Sequence, residues 1–256
     1  MRPKFLGILA CSAFTALLVV CGCYYGPQTI TYLRLRPVLL RSPDDPPRGW
    51  SSVPHPLEEL STSAARGNVV SQYGYQFEVP WGDINSERGD GLIELQTGQR
   101  IKFVDPQIGD GEPISPQTIH SSLSDFAKIF GTLMHDSKYD QFTKIMSAVP
   151  SGWSPLQSRT QFQCYGALLQ IKGLWFEHNP MTPSIFSFQT KNYRGFEVSG
   201  LPRGWQNVTL HFFDLGNHWF VINIQGDELH SVKITQPEIN RVIQSFGPIK
   251  PGSSAK

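Results

Sequence analysis

Between Lys4 and Arg34 the chain carries no charged residue, and from Phe5 to Tyr25 most side chains are apolar. Water disfavours such a run, because each Å2 of exposed apolar surface costs roughly 25 cal/mol relative to an apolar surrounding. As a helix rising 1.5 Å per residue, Phe5 to Tyr25 would measure about 32 Å, close to the ~30 Å hydrocarbon layer of a bilayer. The segment is therefore expected to cross a membrane once. Arg2 and Lys4 precede it, and Tyr24 and Tyr25 end it at the depth where aromatic belts form.

Two forms of tether fit these residues. One is an uncleaved signal anchor with a single transmembrane helix. The other is a signal peptide cut before a lipid-modified cysteine. Val20-Cys21-Gly22-Cys23 resembles a bacterial lipobox, with an apolar residue at minus three, Gly at minus one and Cys23 as the lipidation acceptor. Cys21 at minus two is unusual for that motif. Arg34, Arg36 and Arg41 follow the segment and weigh against export by the positive-inside rule, while Arg2, Lys4 and the free amine weigh for it. The expectation is a body outside the cytoplasm, periplasmic or extracellular.

Composition narrows what the remainder does. With 22 Lys plus Arg against 21 Asp plus Glu, the net charge of +1 gives no footprint for nucleic-acid binding. Aromatics at 12% and hydrophobics at 39% suffice for a packed core, whereas 20 Pro and 23 Gly imply many turns. Cys11, Cys21 and Cys23 fall in or beside the apolar run, so Cys164 is left alone in the body. An internal disulfide and a cysteine-based zinc site are thereby excluded from it. From residue 26 to 70 the sequence turns to Pro, Ser, Asp and Arg, with Pro43-Asp-Asp-Pro-Pro47 and Val53-Pro-His-Pro56 as its stiffest parts, and this is expected to be a linker. Residues 71–249 form the expected globular domain and 250–256 a frayed tail.

Inside the body, periodicity names the elements. Tyr75, Phe77 and Val79 alternate with polar residues as a half-buried strand does, and Pro80 ends it. Leu92–Gln96 and Arg100–Val104 flank Thr97-Gly98-Gln99, a three-residue hairpin loop. Ser115-Pro116 opens an amphipathic helix through Ile119, Leu123, Phe126, Phe130 and Leu133. A second helix runs from Lys138 to Ala148. Ser158-x-x-Gln161 is a capping box for a third through Leu168, Leu169 and Trp175, with a strand as the alternative. Period two returns in Ile185 to Phe188, Phe196 to Val198, Val208 to Phe213 and Trp219 to Ile224. Thr235-Gln-Pro-Glu238 caps a last helix that Gly247-Pro248 stops. The order is that of an α+β fold: an antiparallel sheet of hairpin plus C-terminal meander, covered by helices.

Gly74-Tyr-Gln-Phe-Glu-Val-Pro-Trp81, Trp205-x-x-Val208 and the closing Thr235-x-x-Glu238-Ile-Asn240 helix resemble the PsbP/Mog1-type modules of small membrane-attached bacterial proteins. The likeness spans residues 74–249. It implies an α/β/α sandwich and a binding or assembly role, and it brings no catalytic residues with it.

Motifs for chemistry are sparse. There is no Gly-x-Ser-x-Gly, no His-Glu-x-x-His, no Walker loop and no Gly-x-Gly-x-x-Gly, so no catalytic residue and no cofactor is assigned. His211, Asp214 and His218 surround a hairpin end and could meet as a metal or acid–base cluster, with a solvated turn as the plain alternative. Asp83-x-Asn85-x-Glu87 has the start of a calcium loop, but Arg88 stands where that loop needs Gly. Asp105, Asp110 and Glu112 make an acidic turn. Tyr73, Tyr75, Phe77 and Trp81, with Trp175 and Phe176, could line a groove for a peptide or glycan, or simply pack in the core. Two functional classes follow: a tethered module that binds a protein or peptide partner, and a membrane-attached hydrolase or metal-dependent enzyme with a loop-built His/acid site.

Overall fold

The computed structural model describes residues 21–34, 52–57, 67–88, 91–104, 136–176, 184–200, 207–226 and 234–249. Outside these lie most of the apolar run, the Ser115–Leu133 helix, the acidic turn of Asp105, Asp110 and Glu112, Trp205 and the tail. Among the described residues no helix is long and apolar enough to cross a membrane.

Residues 21–34 form helix α1. It extends past Tyr25 into the stretch expected to be linker. Strands β1 (Pro54–Pro56), β2 (Asn68–Gln72), β3 (Tyr75–Val79), β4 (Ile84–Glu87), β5 (Leu92–Leu95) and β6 (Arg100–Val104) follow. Helix α2 (Lys138–Ser147) and helix α3 (Arg159–Phe176) precede β7 (Ser184–Gln189), β8 (Tyr193–Gly200), β9 (Asn207–Asp214) and β10 (Trp219–Gln225). The close is α4 (Gln236–Ser245) and the short β11 (Gly247–Pro248).

The fold is α+β, with a large and mostly antiparallel sheet. Its eight strands run in the order β1-β7-β8-β9-β10-β6-β5-β4. The meander β7 to β10 is antiparallel throughout, and β10 takes the β5–β6 hairpin through pairs such as Ile222 with Phe103. The hairpin and the meander are thus one sheet. Two features depart from the expectation. The opening strand β3 belongs to a separate three-stranded sheet, β11-β3-β2, because Gly247-Pro248 continues past the helix stop and pairs with Gln76 and Tyr75. Pro54–Pro56, placed in the linker, is instead the parallel edge strand beside β7, with the Leu57 amide donating to the Ser187 carbonyl at 2.9 Å.

Both faces of the large sheet are covered, which explains why five of the seven residues of β10 are buried. On one face, Phe103, Leu210, Phe212, Phe220 and Ile222 pack under α4 and the small sheet, which add Ile239, Val242, Ile243, Val70 and Phe77. On the other, Phe196, Phe213, Trp219 and Val221 meet Phe142 and Met146 of α2. Helix α3 then packs on α2 through Ile145, Ala148, Phe162 and Leu169.

Local chemistry starts each helix. The Ser137 hydroxyl accepts from the Asp140 amide at 3.1 Å, capping α2. Ser158 and Gln161 bond reciprocally ahead of α3, so the helix alternative for that segment is the one adopted. The Thr235 amide donates to Glu238 at 2.7 Å ahead of α4. Helix α4 is tied to the small sheet by Arg241, whose guanidinium meets the Glu78 carboxylate at 2.5 Å, and by the Glu78 amide donating to the Ser245 hydroxyl at 2.8 Å.

Candidate functional site

The His211, Asp214 and His218 cluster divides into two places. Residues 211 and 214 are an odd number of positions apart on one strand, so their side chains leave opposite faces of the sheet. His218 and Asp214 do pair: Nδ1 lies 2.8 Å from Oδ2, and the His218 amide donates to Oδ1 at 2.8 Å. That pair closes the β9–β10 turn at the surface. His211 is half-buried on the α2 side, with the Phe142 ring centroid 4.5 Å away and Trp219 donating its indole N–H to Nδ1 at 3.3 Å. Burial among these rings pushes its pKa down to about 3, so it is a neutral core acceptor. Among the described residues, no three His, Cys, Asp or Glu side chains stand close enough to hold a metal ion.

The other sequence candidates also become structural. Asp83-x-Asn85-x-Glu87 runs into the extended strand β4, and the Asp83 carboxylate accepts from the Asn68 side-chain NH2 at 3.1 Å. Extended backbone cannot wrap a calcium ion as a loop does. Phe77 and Trp81 are core, and Tyr75 stacks on Phe246 at 5.6 Å with only 4° between the rings. Core packing is therefore the role of these three rings. Cys164 is half-buried, and burial raises its thiol pKa, leaving it a poor nucleophile. Cys21 and Cys23 are exposed free thiols at the start of α1.

Two buried charges were missed in the sequence. Lys172 is fully buried on α3 and donates to three backbone carbonyls: Met146 at 2.8 Å, Ala148 at 2.7 Å, and Ser52. The first two are terminal carbonyls of α2. A continued helix would give Met146 the amide of residue 150, but that residue is proline and has none. Lys172 substitutes for it and places positive charge at a helix C-terminus, where the macrodipole favours it. Tyr165, seven residues earlier on the same face of α3, accepts from the Val149 amide at 3.1 Å. The only signal available was the stripe Phe162, Tyr165, Leu169, Lys172 at helical spacing, with a lysine where an apolar residue is expected.

Glu197 is the second. It lies fully buried on β8 beneath α4, where Gln236 donates to Oε2 at 2.7 Å and to Asn240 Oδ1 at 3.0 Å. Glu197 Oε1 has no hydrogen-bond partner among the described residues. Burial pushes its pKa up from 4.5 to about 6, and the Gln236 bond only partly offsets this. On unfolding the carboxyl regains its lower pKa, so between pH 4.5 and 6 the native state holds more protons and stability falls as pH rises. The shift corresponds to about 2 kcal/mol. Glu197→Gln keeps an acceptor for Gln236 and cannot titrate. In urea unfolding at a series of pH values, the wild type is expected to lose about 2 kcal/mol relative to this variant from pH 4.5 to 7. Parallel stability profiles for the two proteins would refute the assignment.

Chemically, these groups hold elements together. Lys172 locks the end of α2, the His218–Asp214 pair closes a turn, and Glu197 is shielded under α4. No family model matches the chain, and a search of the curated proteins returns no match.

Proposed function

We propose that the chain is a membrane-tethered, extracytoplasmic module that binds a partner or helps assemble an envelope complex, with an α/β/α arrangement of the PsbP/Mog1 kind. One observation carries the reading: an uncharged apolar run of bilayer length leads directly into a helix packed on a compact α+β body. A helix-covered sheet of hairpin plus meander is consistent with the resemblance. The enzyme alternative loses the arrangement that suggested it, since His211 faces away from Asp214 and His218.

The tether is tested by expressing the full chain and sedimenting vesicles. The protein is expected in the membrane pellet and resistant to carbonate extraction, and a reporter fused after Lys256 that works only outside the cytoplasm is expected to be active. A freely soluble, untruncated product would refute the tether. An inactive exported reporter beside an active cytoplasmic one would reverse the side.

A further inference from the structure

We infer that the outer face of α1 lies on the lipid surface and fixes which side of the body faces the bilayer. This rests on the tether proposed above and adds an orientation to it. Helix α1 has two faces at helical spacing. Tyr25, Gln28, Thr29 and Tyr32 turn toward the body, where Gln28 is buried and donates its side-chain amide to the Gln157 carbonyl at 3.1 Å. The Tyr32 ring lies 5.4 Å from that of Trp153. The opposite face carries Cys23, Pro27, Ile30 and, in the last turn, Arg34, with Leu33 at its flank, all exposed; Ile30 and Leu33 are 54% and 59% accessible. Beside the docking contact, Leu156 is 75% accessible.

Three observations select lipid as the occupant. In both forms of tether Cys23 sits at the membrane surface, either at the end of an anchor or as the acylated residue. Residues 21–34 rise about 20 Å in all, so the far end of α1 is at most about that distance from the surface. The helix carries no charge before Arg34, whereas a helix standing free in water needs a polar outer face. An apolar outer face beside an aromatic pair, Tyr24 and Tyr25 at 4.8 Å, suits the boundary between headgroups and acyl chains. Because α1 is packed on the body through Gln157 and Trp153, the α3 side of the body comes to the bilayer with it. The spacer expected between residues 26 and 70 then does not hold the body away.

The test uses the full chain with Cys11, Cys21, Cys23 and Cys164 replaced by serine. Single spin labels are placed by Ile30→Cys, Leu33→Cys or Leu215→Cys, and the protein is reconstituted in phosphatidylcholine and phosphatidylglycerol vesicles. Leu215 is the aqueous control: it is 93% accessible and lies in the turn against the N-terminal end of α2, opposite the Trp153 end. Collisions with oxygen relative to a water-soluble nickel chelate are expected to be several-fold higher at 30 and 33 than at 215. Aqueous values at 30 and 33 in protein that pellets with the vesicles would overturn the inference and leave the tether standing. Dipolar broadening in singly labelled protein would overturn it in favour of a second copy on this face. Protein remaining in the supernatant, since Cys23→Ser leaves only the apolar span to hold it, would overturn the anchor form of the tether and the inference with it.

Discussion

Lys172→Met is expected to lower the unfolding free energy by about 3 kcal/mol. Methionine preserves the stem and its packing but strands the buried Met146 and Ala148 carbonyls and loses the bond to Ser52. An unsatisfied buried acceptor costs about 1–3 kcal/mol, and relief from burying an ammonium offsets part of that sum. The variant has a second signature in pH. Burial pushes the Lys172 pKa from 10.5 down to about 8, so between these values the unfolded chain binds more protons than the native one. Wild-type stability therefore carries a term that is present above pH 10.5 and is lost as pH falls to 8. Chemical denaturation at pH 7 and across pH 8 to 10.5 reads both effects. An unchanged midpoint, or a retained slope in the variant, would show that Lys172 does not hold the end of α2.

Gly195→Ala is expected to cost about 3 kcal/mol, against the usual benefit of replacing glycine in a strand. Gly195 sits on β8 between Phe188 and Phe212 in register. A methyl group there would lie 2.1 Å from the His211 carbonyl oxygen and 2.5 Å from the Phe188 ring. The ring can turn only at the expense of its edge-on contact with Phe212, at 5.2 Å, and the carbonyl belongs to the neighbouring strand. Relief therefore requires β8 and β9 to separate in the middle of the sheet. Thermal unfolding compared with the wild type measures the loss, and a variant of equal or higher stability would show that the strands yield without penalty.

What could be foreseen in this fold was local. Ser158 with Gln161 and Thr235 with Glu238 are complete signals within four residues, and Gly98 marks its hairpin. Alternation in β7 to β10 revealed a meander. It could not reveal that both faces of the sheet are covered, and this hid Glu197: it alternates with Phe196 and Val198, so an exposed position was the natural inference. Likewise His211 and His218 are near in sequence, but strand parity separates them. Lys172 finds its partners 24 to 120 residues away, a distance over which no local pattern operates. Pro54 and Pro56 argued for linker by composition, yet an edge strand accepts proline where its amide would point outward.

That last placement bears on what the borders of the large sheet can accept. Leu57 spends its amide inward on Ser187, so by alternation the outward positions of β1 are Pro54 and Pro56, which have no N–H to offer. At the far end of the sheet, the shift between Ile84 and Ser86 breaks the regular ladder of β4. Neither border presents an even row of donors and acceptors, so an extended peptide has no template on which to add itself as a ninth strand. Copies of the chain would therefore resist joining edge to edge through the two borders of this sheet.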